Sequence, residues 1–230
     1  MDNSIISVIY EDENILAINK PTGLLVHGVK NNKEKTLVDW LLKKYPEVKN
    51  VGDAPEIRPG IVHRLDKDTS GVILIALNQN SFDYLKNLFQ EHKIKKNYLA
   101  LTWGAVSPKK GIIEKSIRIK DGTIKRTVWH GKGEKEAITE YEVLKYFDNF
   151  SLLKVFPKTG RTHQIRVHLA SIGHPIVGDS LYGRKENPFG LKRQFLHAES
   201  LEFNLINGSR IKIDADLPED LKNVIKKLNE

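Results

Sequence analysis

The segment His63-Arg-Leu-Asp-Lys-Asp-Thr-Ser-Gly71 is followed without a break by the apolar run Val72–Leu77. A short apolar run that begins after a turn is typical of a buried β-strand. The residues from Asp68 to Gly71 are of the kinds that form such a turn before a strand, because their side chains bond the backbone or tolerate unusual φ angles. Asp66 is different, because it follows the apolar Leu65 and is expected to face away from it. We therefore single out Asp66 as a candidate nucleophile, general base or metal ligand.

Short apolar runs and a few amphipathic segments surround this central segment. Ile5–Tyr10 and Ile15–Ile18 predict a β-hairpin, and Thr36 predicts the N-terminal cap of a helix. A second helix is predicted to begin near Asn80 or Ser81. Further strands are predicted over residues 98–103, 112–119, 123–129, 137–147, 150–156, 196–203 and 211–213, and further helices after Thr162 and Pro218. Since the strands come in consecutive groups, the sequence predicts an α+β fold with a mixed, largely antiparallel sheet flanked by helices, in a single domain over residues 1–230.

Composition excludes several classes of protein. The chain has 230 residues without a cysteine, so disulfides, thiolate metal sites and cysteine nucleophiles are ruled out. The longest apolar run, Gly71–Leu77, is much shorter than the ~20 residues that a membrane-spanning helix needs. The N-terminus also lacks the features of a signal peptide. We therefore expect a soluble cytoplasmic protein.

Positive charge is concentrated in one part of the sequence. The formal net charge is +8, and residues 92–136 contain 12 Lys or Arg against 4 Asp or Glu, so this segment accounts for the whole excess. Inside it, Asp121-Gly122 predicts the turn of a hairpin that carries Arg118, Lys125 and Arg126. Such a surface fits a polyanion, most simply a nucleic acid, although a solvated lysine-rich face would have the same composition.

A second polar cluster, Lys158–His168, lies where a helix is predicted to begin at Thr162. Cations at this end of a helix oppose the helix dipole, so Arg161 and Arg166 require a nearby anion. That anion could be an internal aspartate or an RNA phosphate. The histidines of the cluster are five residues apart, and neither a cysteine nor a carboxylate completes a metal set, so no metal site is expected.

These motifs together resemble the RluA-type pseudouridine synthases. The matching segments are Tyr10-Glu-Asp-Glu-Asn-Ile-Leu-Ala-Ile-Asn-Lys-Pro-Thr-Gly-Leu-Leu-Val-His27, His63–Gly71, Lys96-Asn-Tyr-Leu-Ala-Leu101, Thr159-Gly-Arg-Thr-His-Gln-Ile-Arg-Val-His168, His174-Pro-Ile-Val-Gly-Asp179, Tyr182-Gly183 and Phe195-Leu-His-Ala198. They occur in the family's order across nearly the whole chain, which makes the resemblance specific.

The resemblance implies that the protein isomerises uridine in RNA to pseudouridine without a cofactor or metal. It implies that Asp66 is the essential catalyst, which attacks the sugar or the base or removes a sugar proton. Tyr98 would stack on the target base and is a candidate for the final deprotonation, and Arg166 would pair with Asp66 and keep it ionised. Arg64 would fill the gap that the flipped nucleotide leaves in the RNA.

The first motif begins near residue 8, so we expect no separate N-terminal RNA-binding domain. RNA recognition would then depend on the catalytic domain, with tRNA or a small ribosomal RNA hairpin as the substrate of a monomeric enzyme. The main alternative is a non-catalytic RNA-binding module of the same fold. A metal-dependent nuclease that uses Asp66, Asp68 and the histidines is a more distant alternative.

Overall fold

The computed structural model describes residues 6–28, 34–120, 122–123, 125–129 and 131–230. Backbone contacts divide the chain into two compact units. The first unit comprises Met1–Lys95 and Glu199–Asp216, and the second comprises Lys96–Ala198 and Leu217–Glu230. The expectation of a single domain stays a prediction.

Antiparallel strands form the centre of the first unit. They are β1 (Ser7–Glu11), β2 (Ile15–Lys20), β3 (Ser70–Ala76), the later part of β10 (Leu196–Asn204) and β11 (Arg210–Asp214). The β1–β2 hairpin is confirmed, and the Asp12 carboxylate closes its turn by accepting N–H bonds from Asn14 and Ile15, both at 2.8 Å. Strand β3 pairs with β2 and is buried along its whole length, as the apolar run predicts.

Two α-helices and a short 3-10 helix complete the first unit. They are α1 (Leu37–Lys44), the 3-10 helix Pro46–Asn50 and α2 (Gln79–Gln90). The predicted cap at Thr36 is confirmed, since its hydroxyl accepts from the Asp39 N–H at 3.3 Å while the Asp39 carboxylate accepts from the Thr36 N–H at 2.7 Å. Helix α2 begins one residue before Asn80, because Asn78 acts as its cap.

The second unit contains a four-stranded antiparallel arrangement in the order β4-β9-β8-β5. Its elements are β4 (Lys95–Trp103), β5 (Lys110–Glu114), β6 (Arg118–Ile119), β7 (Arg126–Thr127), β8 (Ile138–Phe147), β9 (Phe150–Pro157), α3 (Gln164–Ser171) and α4 (Glu219–Asn229). A core of fully buried side chains, including Leu101, Leu153 and Leu169, holds this unit together.

The basic hairpin differs in detail from its prediction. The strand predicted over residues 112–119 is split, because the chain leaves β8 after Glu114 and Ile117 turns inward to exchange backbone hydrogen bonds with Lys135 at 2.8 and 3.0 Å. Strands β6 and β7 then pair with each other in a two-stranded sheet. Asp121 of the predicted turn lies outside the described residues.

The strand pairings within both units are antiparallel and helices accompany them, so the α+β prediction is confirmed.

Candidate active site

The segment that leads into β3 is fixed by His63. Its Nε2 atom accepts a hydrogen bond from the Leu74 N–H at 2.8 Å, and its ring stacks on Phe89 at a centroid distance of 4.5 Å. Because Nε2 is an acceptor, the imidazole is neutral in this arrangement. His63 therefore anchors the polar segment to the buried strand beside it.

Asp66 lies in a turn with the orientation that the sequence predicted. Leu65 is buried, with 5% of its surface exposed, whereas Asp66 is half-buried and Arg64 is exposed. The backbone turns at this point, and the Thr69 N–H donates to the Asp66 carbonyl at 3.1 Å. The Thr69 side chain is itself buried. Asp66 is thus a half-buried residue on a turn that a backbone hydrogen bond closes, between the buried residues Leu65 and Thr69.

Lys20 fixes the same turn from strand β2, and sequence reasoning assigned it no role. The side chain is completely buried, and its ammonium donates to the carbonyls of Pro21, Leu24 and Lys67 at 2.8–2.9 Å. Burying an ammonium is costly unless such acceptors surround it. The bond to Lys67, the residue after Asp66, makes Lys20 a positioning residue. The sequence feature that could have indicated this role is a lysine at the end of a mostly apolar strand.

In the second unit, Gln164 organises the start of α3. Its Oε1 accepts from the Thr159 hydroxyl at 2.7 Å and from the Arg161 N–H at 2.9 Å, while its Nε2 donates to the Ile138 carbonyl at 2.9 Å. The residue before the helix is His163, at φ 58°, a left-handed conformation that is rare for residues other than glycine. The predicted cap at Thr162 is therefore wrong, because the Gln164 side chain bonds the backbone of this loop in its place.

Arg166 of α3 forms a buried, two-point ion pair with Asp179. Nε donates to Oδ2 at 2.7 Å and Nη2 to Oδ1 at 2.8 Å, with side-chain exposures of 6% and 0%. Burial alone would raise the pKa of Asp179, but hydrogen bonds and charge from Arg166 outweigh burial and hold that pKa below its ordinary value. The internal anion that the sequence argument required near α3 is thus Asp179, which the sequence did not single out. The pairing of Arg166 with Asp66, a residue of the first unit, stays a prediction.

Tyr182 connects this ion pair to the basic hairpin. Its hydroxyl accepts from the Arg126 N–H at 2.7 Å and lies 2.9 Å from Nδ1 of His163, to which it can donate. Its ring lies 5.3 Å from the Arg166 guanidinium carbon. Burial raises the pKa of Tyr182, so the phenol stays protonated at neutral pH. The structure therefore brings the Arg166 side chain and the Arg126 backbone, from two residues predicted from the sequence, into contact with one tyrosine.

Tyr98 lies on β4, half-buried and opposite Val155 of β9. Lys96 is two residues earlier and so projects from the same side of the strand. Its ammonium donates to the carbonyls of Lys158 and Thr159 at 3.2 and 3.4 Å. Burial, and then the charge of Lys158, lowers the pKa of Lys96 to about 8. Lys96, whose pKa burial lowers, is thus the neighbour of the candidate stacking residue Tyr98.

The remaining predicted RNA-binding side chains lie at the surface and are braced by backbone carbonyls. Arg161 donates to Glu136, Arg118 donates to Trp129 and Lys125 donates to Leu181, each at 3.0 Å. These bonds fix the direction of the side chains and leave their positive charge in place, so the hairpin presents a basic face.

His168 has a structural role. It is fully buried between the Thr139 hydroxyl and the Lys115 carbonyl, both at 2.9 Å, and burial lowers its pKa. Within the described ranges, no group of three or more metal-ligating side chains occurs. No helix in the part of the chain that the structure describes is long and apolar enough to cross a membrane.

Comparison with known proteins gives consistent matches. The family described as RNA pseudouridylate synthase matches residues 14–171. The ribosomal large subunit pseudouridine synthase D of Borreliella burgdorferi is 40% identical over 93% of this chain, which spans 66% of that protein. An uncharacterized RNA pseudouridine synthase of Aquifex aeolicus is 45% identical over 81% of this chain and 58% of its own length. The solved structure of human RNA pseudouridylate synthase domain containing 4 superimposes with a TM-score of 0.78 at 26% identity, covering 97% of this chain and 93% of that one.

The chain thus spans 66% and 58% of the length of these two curated relatives. The matched segment includes Asp66, Tyr98 and Arg166. Asp66 and Arg64 belong to the first unit, while Tyr98, Arg166 and the hairpin cations belong to the second.

Proposed function

The chain belongs to the RNA pseudouridylate synthase family, and from this premise we propose that it converts specific uridines in RNA to pseudouridine with Asp66 as its essential catalytic residue. The reaction breaks the bond between N1 of the uracil and C1′ of the ribose. The base then turns, and C5 forms the new bond to C1′. The hydrogen on C5 leaves as a proton and N1 gains one, so the product is an isomer of the substrate and no cofactor or metal is needed.

The placement of Asp66 is the observation that carries this proposal. Asp66 is half-buried and directly follows the buried Leu65, on a turn that Thr69 closes and Lys20 holds through the Lys67 carbonyl. A nucleophile or base needs a fixed direction and access to the substrate. This placement supplies both, whether Asp66 attacks the sugar or the base or removes a sugar proton.

Other residues are proposed to hold the base and the RNA around Asp66. The Tyr98 ring offers a face on which the target uracil stacks, and Arg166 keeps Asp66 ionised while it stays fixed by Asp179. Arg64, which is exposed, occupies the space that the flipped nucleotide leaves in the RNA. Removing the base from its stack costs a few kcal/mol, which contacts in the pocket offset.

Cations of the second unit are proposed to bind the phosphates of the RNA. Arg118, Lys125 and Arg126 lie on the hairpin, and Arg161 precedes α3. Since relatives are named for the large ribosomal subunit, a uridine in large-subunit ribosomal RNA is the first substrate to test and tRNA is the second. We expect either substrate to be modified in the cytoplasm.

Tritium release tests this function. RNA labelled with tritium at C5 of uridine would be prepared from cells that lack this gene and incubated with the protein, with and without excess chelator. We expect tritium release that the chelator does not change and RNA that keeps its length. Stable binding without release would favour a non-catalytic RNA-binding module, and shortened RNA that depends on metal would favour a nuclease.

A further inference from the structure

The outer face of the basic hairpin carries a large aromatic side chain. Trp129 is 71% exposed, the highest exposure among the large apolar side chains that the structure describes, and Ile119 on the same hairpin is 55% exposed. Isolated exposed apolar residues are common on protein surfaces, but an indole gains much from burial, so its display on a structured hairpin is notable.

The hairpin holds this indole outward. The Trp129 carbonyl accepts from Arg118 Nε at 3.0 Å, and the Trp129 N–H donates to the Thr127 hydroxyl at 3.2 Å. The preceding residue, Val128, packs against the small cluster that contains Ile117 and Val167. Since hydrogen bonds fix both the N–H and the carbonyl of Trp129, the exposure of its indole follows from the fold of the hairpin.

The surroundings of Trp129 are strongly positive. Residues 115–135 contain seven Lys or Arg against two acidic residues, and the Lys120 ammonium lies 5.9 Å from the centre of the indole ring. A partner that fits must therefore supply negative charge and a flat apolar face close together. An acidic protein surface supplies the charge alone, whereas an unpaired nucleotide supplies both in its phosphate and its base.

We propose that Trp129 is a stacking platform for an unpaired base of the RNA, with Lys120 contacting an adjacent phosphate. This inference rests on the proposed function, because it takes the partner to be the RNA substrate. Stacking on an indole accepts any base, since every base has a flat face. The platform would therefore select single-stranded RNA over duplex RNA, in which the bases stack on one another.

Binding of two RNAs of equal length tests the proposal. The probes are a labelled oligouridine of about 12 nucleotides, within the length that such sites cover, and a duplex of equal length. The proteins are the wild type, Trp129→Ala, Trp129→Phe and the matched control Ile119→Ala, which removes an exposed apolar side chain of the same hairpin that has no aromatic face.

We expect Trp129→Ala to weaken oligouridine binding by about tenfold or more. Trp129→Phe and Ile119→Ala should keep most of the affinity. Duplex binding and the salt dependence should not change, since no phosphate contact is removed. Oligouridine should also quench tryptophan fluorescence in the wild type, and much less in Trp129→Phe.

Two results would overturn the proposal. If Trp129→Ala binds oligouridine as tightly as the wild type, the indole does not bind RNA and a protein partner becomes the better assignment. An equal loss for oligouridine and duplex would mean that the substitution displaced the hairpin. Tritium release by the wild type is scored separately, so its absence would refute the isomerase and leave the binding result for Trp129 standing.

Discussion

Replacing Asp179 with asparagine removes the charge from a carboxylate that holds Arg166 at two points, with 0% and 6% of the two side chains exposed. Removing one partner of a buried ion pair costs about 3–5 kcal/mol, because the charge of the other partner stays buried and loses the carboxylate that bound it. At about 2–4 °C per kcal/mol for a protein of this size, the melting temperature should fall by about 6–20 °C. The same change releases Arg166 from a fixed position, and a misplaced catalytic group costs roughly 100-fold in rate.

The matched control is Asp220→Asn. Asp220 pairs with Arg193 in the same two-point geometry, at 2.7 and 3.0 Å, but 42% of its side chain is exposed and water can replace part of the contact. Thermal denaturation should show a smaller loss for Asp220→Asn. Tritium release, measured below both melting temperatures, should fall only for Asp179→Asn.

Acid titration adds a second readout for this pair. The pKa of Asp179 in the folded protein is below the ordinary pKa of an aspartate. Asp179 therefore adds to the free energy of unfolding at any pH above that ordinary pKa. This contribution is lost as the pH falls through the pKa of the folded protein. The stability difference between the wild type and Asp179→Asn should therefore shrink under acid conditions. Equal activity of the two proteins while both are folded would refute the role of Asp179 in positioning Arg166.

Three further perturbations have distinct expected outcomes. Lys20→Met should lower the free energy of unfolding by about 3 kcal/mol, because it leaves buried carbonyls without their donor; unchanged urea denaturation would contradict this role. The pKa of Lys96 in the folded protein is lowered to about 8. The wild type should therefore gain stability as the pH rises from about 8 toward the pKa of the unfolded chain, and Lys96→Met should abolish that gain. Parallel curves of stability against pH for the two proteins would contradict this prediction. The double charge reversal of Lys125 and Arg126 to glutamate should weaken RNA binding and flatten its salt dependence by about 0.7–0.9 in logarithmic slope per lost phosphate contact, and an unchanged slope would remove these residues from the interface.

Local signals predicted much of the fold. The apolar run after Gly71 became the buried strand β3, and Thr36 became a helix cap with Asp39 as its partner. Both features are marked by residues that are neighbours in the sequence, so a short stretch of sequence is enough to predict them. The strand predicted over residues 112–119 was too long, because the inward turn of Ile117 depends on Lys135, a residue distant in sequence.

The sequence indicated residues of the candidate site, but not the residues that hold them in position. The orientation of Asp66 followed from its neighbour Leu65. The supporting residues Lys20, Asp179 and Tyr182 act through contacts with residues that are distant in the sequence, and no local pattern indicates those partners. The need for an anion near Arg166 could be derived from the helix dipole, but its identity required the structure.

Catalysis by Asp66 is tested most directly by comparing Asp66→Asn with Asp68→Asn in the tritium-release assay on the same RNA. Both substitutions remove one negative charge from the same turn, and circular dichroism would establish that both proteins are folded. We expect Asp66→Asn to bind RNA and release no tritium, while Asp68→Asn retains release. Release by Asp66→Asn at the wild-type rate would contradict the assignment of Asp66 as the catalytic residue.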